Sequence, residues 1–204
     1  KGSEVVLTIK RYGEDDPIDF KLIRSDIKVK DITYSGMVSP TTGYVRLNRF
    51  SRNTTSEMNE AFKDLIENDV KEVIIDLRDN GGGLLTAAVN MIDMLIEKGQ
   101  TIVSTKGRMK ESNRSFLSRT KPIIDKDVKI AILINQGSAS ASEIVAGSIQ
   151  DLDRGIVIGR KSFGKGLVQT LYPIDKVRSL KVTTARYYIP SGRFIQNNDY
   201  INEK

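Results

Sequence analysis

The amino-acid sequence predicts an α/β fold with a small β-rich piece at its N-terminal end. Two observations predict the α/β part. The short, nearly continuous apolar run Val73-Ile74-Ile75-Asp76-Leu77 leads through a glycine turn into a helical pattern, and a similar strand–turn–helix unit recurs over Lys129 to Leu152. Such runs suit strands buried on both faces, and strands alternating with helices build parallel sheets. The third observation concerns the start of the chain, where Ile18-Asp19-Phe20-Lys21-Leu22-Ile23-Arg24 alternates with period 2, the mark of a half-buried strand.

Taken in order, Val5 to Arg11 reads as a strand, Tyr12 to Pro17 as a turn and Ile18 to Arg24 as a second strand. Two strands alone are marginally stable. Residues 1–30 are therefore expected to be the tail of a small β-rich module, and residues 31–204 the main domain. Ser35 to Gly43 reads as a loop, Tyr44 to Leu47 as a short strand and Thr54 to Val70 as a helix. In that helix Met58, Ala61, Phe62, Leu65 and Ile66 keep 3.6-residue spacing, and Thr54 or Thr55 can cap it. Gly81-Gly82-Gly83 follows the buried strand at Val73, and Leu84 to Lys98 is a helix closed by Gly99. Thr105 to Asp127 is polar and weakly periodic, and reads as a long exposed excursion that could serve as a lid. Lys129 to Ile134 is a buried strand, Asn135 to Ser138 a turn, Ser140 to Leu152 a helix and Gly155 to Gly159 a short strand. From Leu167 the chain is strand-rich through Leu180 to Ala185, and Pro190-Ser191-Gly192 is a turn.

Composition narrows the chemistry. With 204 residues, 39% hydrophobic and 28% charged, the chain can build one globular core. No apolar run approaches the roughly 18 residues of a membrane span. The net charge of +6 is spread along the chain, whereas a nucleic-acid footprint needs a clustered patch, so no nucleic-acid partner is expected. There is no Cys, which excludes disulfides, thiol nucleophiles and thiolate metal sites. There is no His, which excludes Ser-His-Asp and Cys-His centres and any His-ligated zinc. A base for nucleophilic catalysis must then be Lys, Asp, Glu or Tyr.

Three segments could hold such chemistry. Ser138-Ala139-Ser140-Ala141-Ser142-Glu143 lies at a strand-to-helix turn, where a serine hydroxyl is exposed above the sheet and helix N–H groups favour an oxyanion. The same letters spell a Ser-x-x-Glu capping box, which needs no catalysis. Gly81-Gly82-Gly83 can present main-chain N–H groups to a ligand or can simply be a tight turn. Gly159 to Gly166 nearly matches a phosphate-binding loop, but Gly166 stands where Ser or Thr is required and a strand follows instead of a helix. What remains there is Lys165 between two glycines, either an exposed loop lysine or a base near an apolar strand.

The order of these segments resembles the carboxy-terminal processing peptidases, also called tail-specific proteases. The resemblance rests on Asp76 to Gly83, Ser138 to Glu143, Asp151 to Arg154, Ser162 to Gln169 and Thr183 to Arg193, and spans about Tyr44 to Gln196. It implies a fold similar to the ClpP/crotonase superfamily. By position it implies Ser140 as nucleophile, Lys165 as base, Gln169 as the residue that orients the lysine, and an oxyanion hole from the N–H of Ala141 with Gly82 or Gly83. If Lys165 opens a strand, residues 165, 167 and 169 share one face, and an amide at Gln169 orients the ammonium without adding charge. Asp151 is expected to organise the helix end and the turn to Arg154, and Glu143 to act as the cap. The N-terminal strands resemble the end of a PDZ module, in which a peptide terminus adds along a sheet edge. Asn197 to Lys204 lacks the family's glycine-rich continuation.

The function so implied is a serine endopeptidase acting on protein or peptide substrates near their C-termini, held as extended segments, with no cofactor and no metal, in the bacterial periplasm or cell envelope. Two other readings stand beside it: a non-catalytic peptide-binding or scaffolding fragment, and a crotonase-like acyl-transfer enzyme, whose chemistry does not need the Ser140, Lys165 and Gln169 set.

Overall fold

The computed structural model describes residues 1–27 and 29–197. All but Asn197 of the divergent terminal stretch thus lies outside the described residues. The chain divides into two compact units, Lys1–Lys30 and Asp31–Lys204.

The first unit is an antiparallel hairpin of β1 (Glu4–Ile9) and β2 (Ile18–Ile23), with Val6 opposite Lys21. Its large apolar side chains, Leu7, Phe20 and Ile23 among them, stay exposed.

In the second unit, β3 (Ile32–Met37), β4 (Thr42–Leu47), β5 (Glu72–Asp76), β8 (Lys129–Ile134) and β9 (Ile156–Gly159) form one sheet in the order β3-β4-β5-β8-β9. The β3–β4 pair is antiparallel and the rest parallel. Helix α1 (Thr54–Glu67) connects β4 to β5, α2 (Leu85–Asp93) follows β5, and α3 (Ala141–Asp151) connects β8 to β9. Met58, Phe62 and Leu65 of α1, Met91 and Ile92 of α2, and Val145 and Ile149 of α3 are fully buried with Val45, Ile75 and Ile132 of the sheet. Each such side chain contributes about 1.5–3 kcal/mol relative to exposure. A second, antiparallel sheet has the order β10-β11-β6-β7, from β6 (Thr101–Gly107), β7 (Arg114–Leu117), β10 (Leu167–Pro173) and β11 (Ser179–Tyr188). No helix among the described residues is long and apolar enough to cross a membrane.

The α/β class and both strand–turn–helix units agree with the sequence reading; four local expectations do not. Ser35 to Gly43 is not a loop: Ser35–Met37 end β3 and Thr42–Gly43 begin β4, and β3 is an edge strand with only Ile32 buried, so it shows little apolar signal. Thr105 to Asp127 is not a lid, because β6 and β7 pair there and Thr105 is opposite Tyr187 of β11. Helix α2 stops at Asp93 rather than Lys98. Beyond it the Met94 carbonyl accepts Ile123 and Ile124 N–H (2.7 and 3.2 Å), and the Leu95 carbonyl accepts Arg154 Nε (2.7 Å), so tertiary donors take the place of the next helical turn. The N-cap of α1 is Asn53, not Thr54 or Thr55; Thr54 Oγ1 instead donates to buried Asp31 at 2.6 Å and accepts Ser51 N–H at 2.7 Å.

Candidate active site

The carboxyl end of β5 is pinned by Asp76. Its buried carboxylate accepts Arg78 Nη2 at 2.7 Å, Arg78 N–H at 2.9 Å and the Tyr44 hydroxyl at 2.5 Å. Burial alone would raise its pKa; the hydrogen bonds from Arg78 and Tyr44 and the Arg78 charge outweigh it and hold the carboxyl below the usual range. The chain can then turn sharply over Asp79, which sits at φ 63°, into the three glycines.

Buried Asn80 fastens this turn to the one that carries Ser140. Its Nδ2 donates to the Leu47 carbonyl at 2.8 Å, its Oδ1 accepts Gly82 N–H at 2.9 Å, and its carbonyl accepts Ala139 N–H at 3.0 Å and the Ser142 hydroxyl at 2.9 Å. Ser138 adds a bond from its hydroxyl to the Leu77 carbonyl at 2.7 Å. Gly82 has φ +92°, and a Cβ there would lie 2.5 Å from the Ala139 oxygen and 2.9 Å from Ser140 Cβ. Only glycine permits that backbone and that approach. Ser140 itself sits at φ 57°, ψ −112°, a region sparsely populated for non-glycine residues and found at functional turns.

The Ser-x-x-Glu box is present, but Glu143 does more than cap. Its Oε2 accepts Ser140 N–H at 2.7 Å and Lys165 N–H at 2.8 Å. Its Oε1 accepts the Ser162 hydroxyl at 2.7 Å and Gly164 N–H at 2.6 Å. One carboxylate, 3% exposed, therefore ties the serine turn to the lysine loop across 22 residues of sequence. The Glu143 N–H also donates to the Ser140 main-chain oxygen at 2.9 Å.

These segments line a cavity of about 430 Å³ that contains Gly82, Gly83, Ser140, Ala141, Lys165 and Gln169. Ser140, Lys165, Gln169 and the expected oxyanion-hole residues are thus brought to one place. No hydrogen bond joins Ser140 to Lys165 or Lys165 to Gln169; catalytic bonds of this kind often close only around substrate. Lys165 does not open the strand, since β10 begins at Leu167. Lys165, Leu167 and Gln169 still line the cavity together. The Gly82 N–H is committed to Asn80, whereas no bond from the N–H of Gly83 or Ala141 to a described residue is found.

Asp151, expected to organise the helix end and the turn to Arg154, lies elsewhere, outside the cavity, and bonds to a later turn. It accepts Ser191 N–H and Arg193 Nη2, both at 3.0 Å, and so anchors the turn after β11. Arg154 instead donates to the carbonyls of Leu95, Val128 and Asp125. The sequence reading also missed Asp76, Arg78 and Asn80 as builders of the glycine turn, and Tyr187, which lines the cavity. Period-2 burial of Ala185, Tyr187 and Ile189 was the signal that could have placed Tyr187 inward.

A sequence profile of peptidase family S41 matches residues 41–202. The carboxy-terminal-processing protease of Bartonella bacilliformis is 45% identical over 199 residues, covering 96% of this chain and 45% of that protein. The solved photosystem II D1 C-terminal processing protease superposes with a TM-score of 0.71 at 31% identity, covering 96% of this chain and 53% of that one. The chain therefore spans about half the length of these relatives.

Proposed function

Since the chain belongs to peptidase family S41, we propose that it is a serine endopeptidase that cleaves protein substrates near their C-termini through an acyl-enzyme, with Ser140 as nucleophile and Lys165 as general base. The observation that carries this reading is the single oxygen, Glu143 Oε2, that holds the N–H groups of both Ser140 and Lys165. With no His in the chain, lysine is the base within the same cavity. Neutral Lys165 takes the proton of Ser140 Oγ as the Oγ–C bond to the scissile carbonyl forms. The carbonyl oxygen becomes the oxyanion, held by the N–H of Ala141 and Gly83 at the start of two helical segments. Collapse breaks the C–N bond, and the departing amine receives the proton from Lys165. Water, deprotonated by the same lysine, then attacks the ester carbon; the C–Oγ bond breaks, and Lys165 returns the proton to Ser140 Oγ. Gln169 orients Lys165 without adding charge.

Both relatives are carboxy-terminal processing proteases by name, which supports the C-terminal preference. The exposed β1–β2 hairpin supports the reading of residues 1–30 as the end of a PDZ-like module that guides an extended peptide. The family resemblance supports action outside the cytoplasm. The test is cleavage of an unfolded protein by this chain beside Ser140→Ala and Lys165→Ala. Activity confined to the unsubstituted chain is expected; undiminished activity in either variant would sink the assignment.

A further inference from the structure

Tyr187 carries a hydroxyl that the chemistry above leaves unused. The side chain is 2% exposed, and its oxygen is the buried side-chain polar atom without a hydrogen-bond partner among the described residues. A buried donor left unpaired is costly, and such a group in a native fold needs an explanation. Its place is fixed: Tyr187 N–H donates to the Gly166 carbonyl at 3.0 Å, next to Lys165, and the ring lines the cavity with Ser140 and Ile144. Burial first, and then the Glu143 carboxylate, push the phenol well above its ordinary pKa, while the Ser140 side chain acts on it in the opposite sense. Ser140 lines the same cavity as the ring, and the raised pKa keeps the phenol a hydrogen-bond donor.

We propose that Tyr187 is a further catalytic residue of this site, whose hydroxyl donates a hydrogen bond to Ser140 Oγ once substrate occupies the cavity. A donor aimed at Oγ leaves the serine's own hydrogen to point elsewhere, and Lys165 is the acceptor that lines the same space. As Oγ loses its proton to Lys165 and bonds to carbon, the Tyr187 O–H meets the charge on Oγ. When the ester breaks and Oγ leaves, the same bond stabilises it until Lys165 returns the proton. Tyr187 gives up no proton at any step.

This inference rests on Ser140 being the nucleophile, and the experiment separates the two. Tyr187→Phe removes the oxygen and keeps the ring. Labelling of Ser140 by a fluorophosphonate probe and hydrolysis of a peptide are followed against pH in the unsubstituted chain, Tyr187→Phe and Ser140→Ala. In Tyr187→Phe, labelling and kcat are expected to fall about 10–100-fold, with KM within about threefold. The acid limb set by Lys165 should keep its position, and the melting temperature should stay within about 2 °C. Labelling of Tyr187→Phe at the unsubstituted rate would overturn the proposal, as would a loss that merely tracks unfolding. If the unsubstituted chain neither labels at Ser140 nor cleaves, the nucleophile assignment itself fails, and the role of Tyr187 with it.

Discussion

Replacing Glu143 with Gln changes one terminal atom and almost no volume, yet it should be among the most damaging polar substitutions in the molecule. The carboxylate accepts four bonds of 2.6–2.8 Å, two on each oxygen. A glutamine offers one acceptor oxygen. If that oxygen keeps Ser140 and Lys165, the amide NH₂ faces the Ser162 hydroxyl, which can rotate and accept, and the Gly164 N–H, which cannot. Gly164 is buried, so its N–H becomes an unpaired donor at a cost of about 1–3 kcal/mol. The two retained bonds lose their charge assistance, about 0.5 kcal/mol each. The expected destabilisation is ~2–4 kcal/mol, read as a fall in melting temperature of roughly 6–12 °C, which a domain of ordinary stability survives. Turnover should fall further than stability does. A shift of about 1 Å between Ser140 and Lys165 is worth roughly 100-fold in rate. Urea unfolding and single-turnover acylation measured on the same preparation test both statements. A Glu143→Gln chain with unfolding free energy within about 0.5 kcal/mol of the original and undiminished acylation would refute the reasoning.

Lys165→Arg keeps the positive charge but cannot deprotonate, so peptide hydrolysis should fall at least ~100-fold while the melting curve is unmoved. Gly82→Ala places a methyl group 2.5 Å from the Ala139 oxygen at a φ of +92°; loss of ~3 kcal/mol or more in urea unfolding is expected, with loss of acylation in whatever remains folded. Asp31 and Asp76 are both held below the ordinary aspartate pKa of about 3.9 when folded, although burial acts the other way. The unfolded chain therefore binds more protons as pH falls through that value, and their stabilisation, complete above about pH 5, is lost toward the lower native pKa values. Asp76→Asn should flatten this acid decline and cost about 2 kcal/mol at pH 7, a moderate figure because the Arg78 side chain is 46% exposed. Unfolding curves collected from pH 3 to pH 7 decide it.

Residue patterns revealed the elements whose periodicity was driven by burial. The run Val73–Leu77 and the helix around Met58 and Phe62 owe their pattern to a two-sided or one-sided core, and both were legible. The elements that were not legible are held by partners far along the chain. Strand β6 pairs with β11, Lys106 opposite Arg186, a contact no local window contains. Strand β3 is polar because it is an edge. The same distinction applies to the site. The family resemblance of the ordered motifs implied Ser140 and Lys165, which line one cavity, whereas residue type alone left a cap and a loop lysine equally open. The bonds that bring them there run from Glu143 to residues 19–22 positions away, and a capping box looks identical whether or not its glutamate has other partners.

The order of these residues along the chain also sets a clock. Ser140 precedes Lys165 by 25 residues of synthesis (165 − 140) and Tyr187 by 47 (187 − 140). At about 5–20 residues per second, a ribosome releases the serine roughly 2–9 s before the tyrosine. For the first part of that interval Glu143 has no loop from Ser162 to Lys165 to grip, and throughout it the cavity lacks the wall that Tyr187 supplies. If Ser140 is the nucleophile proposed above, a nascent chain thus carries it in an unfinished cavity until β11 has been laid down.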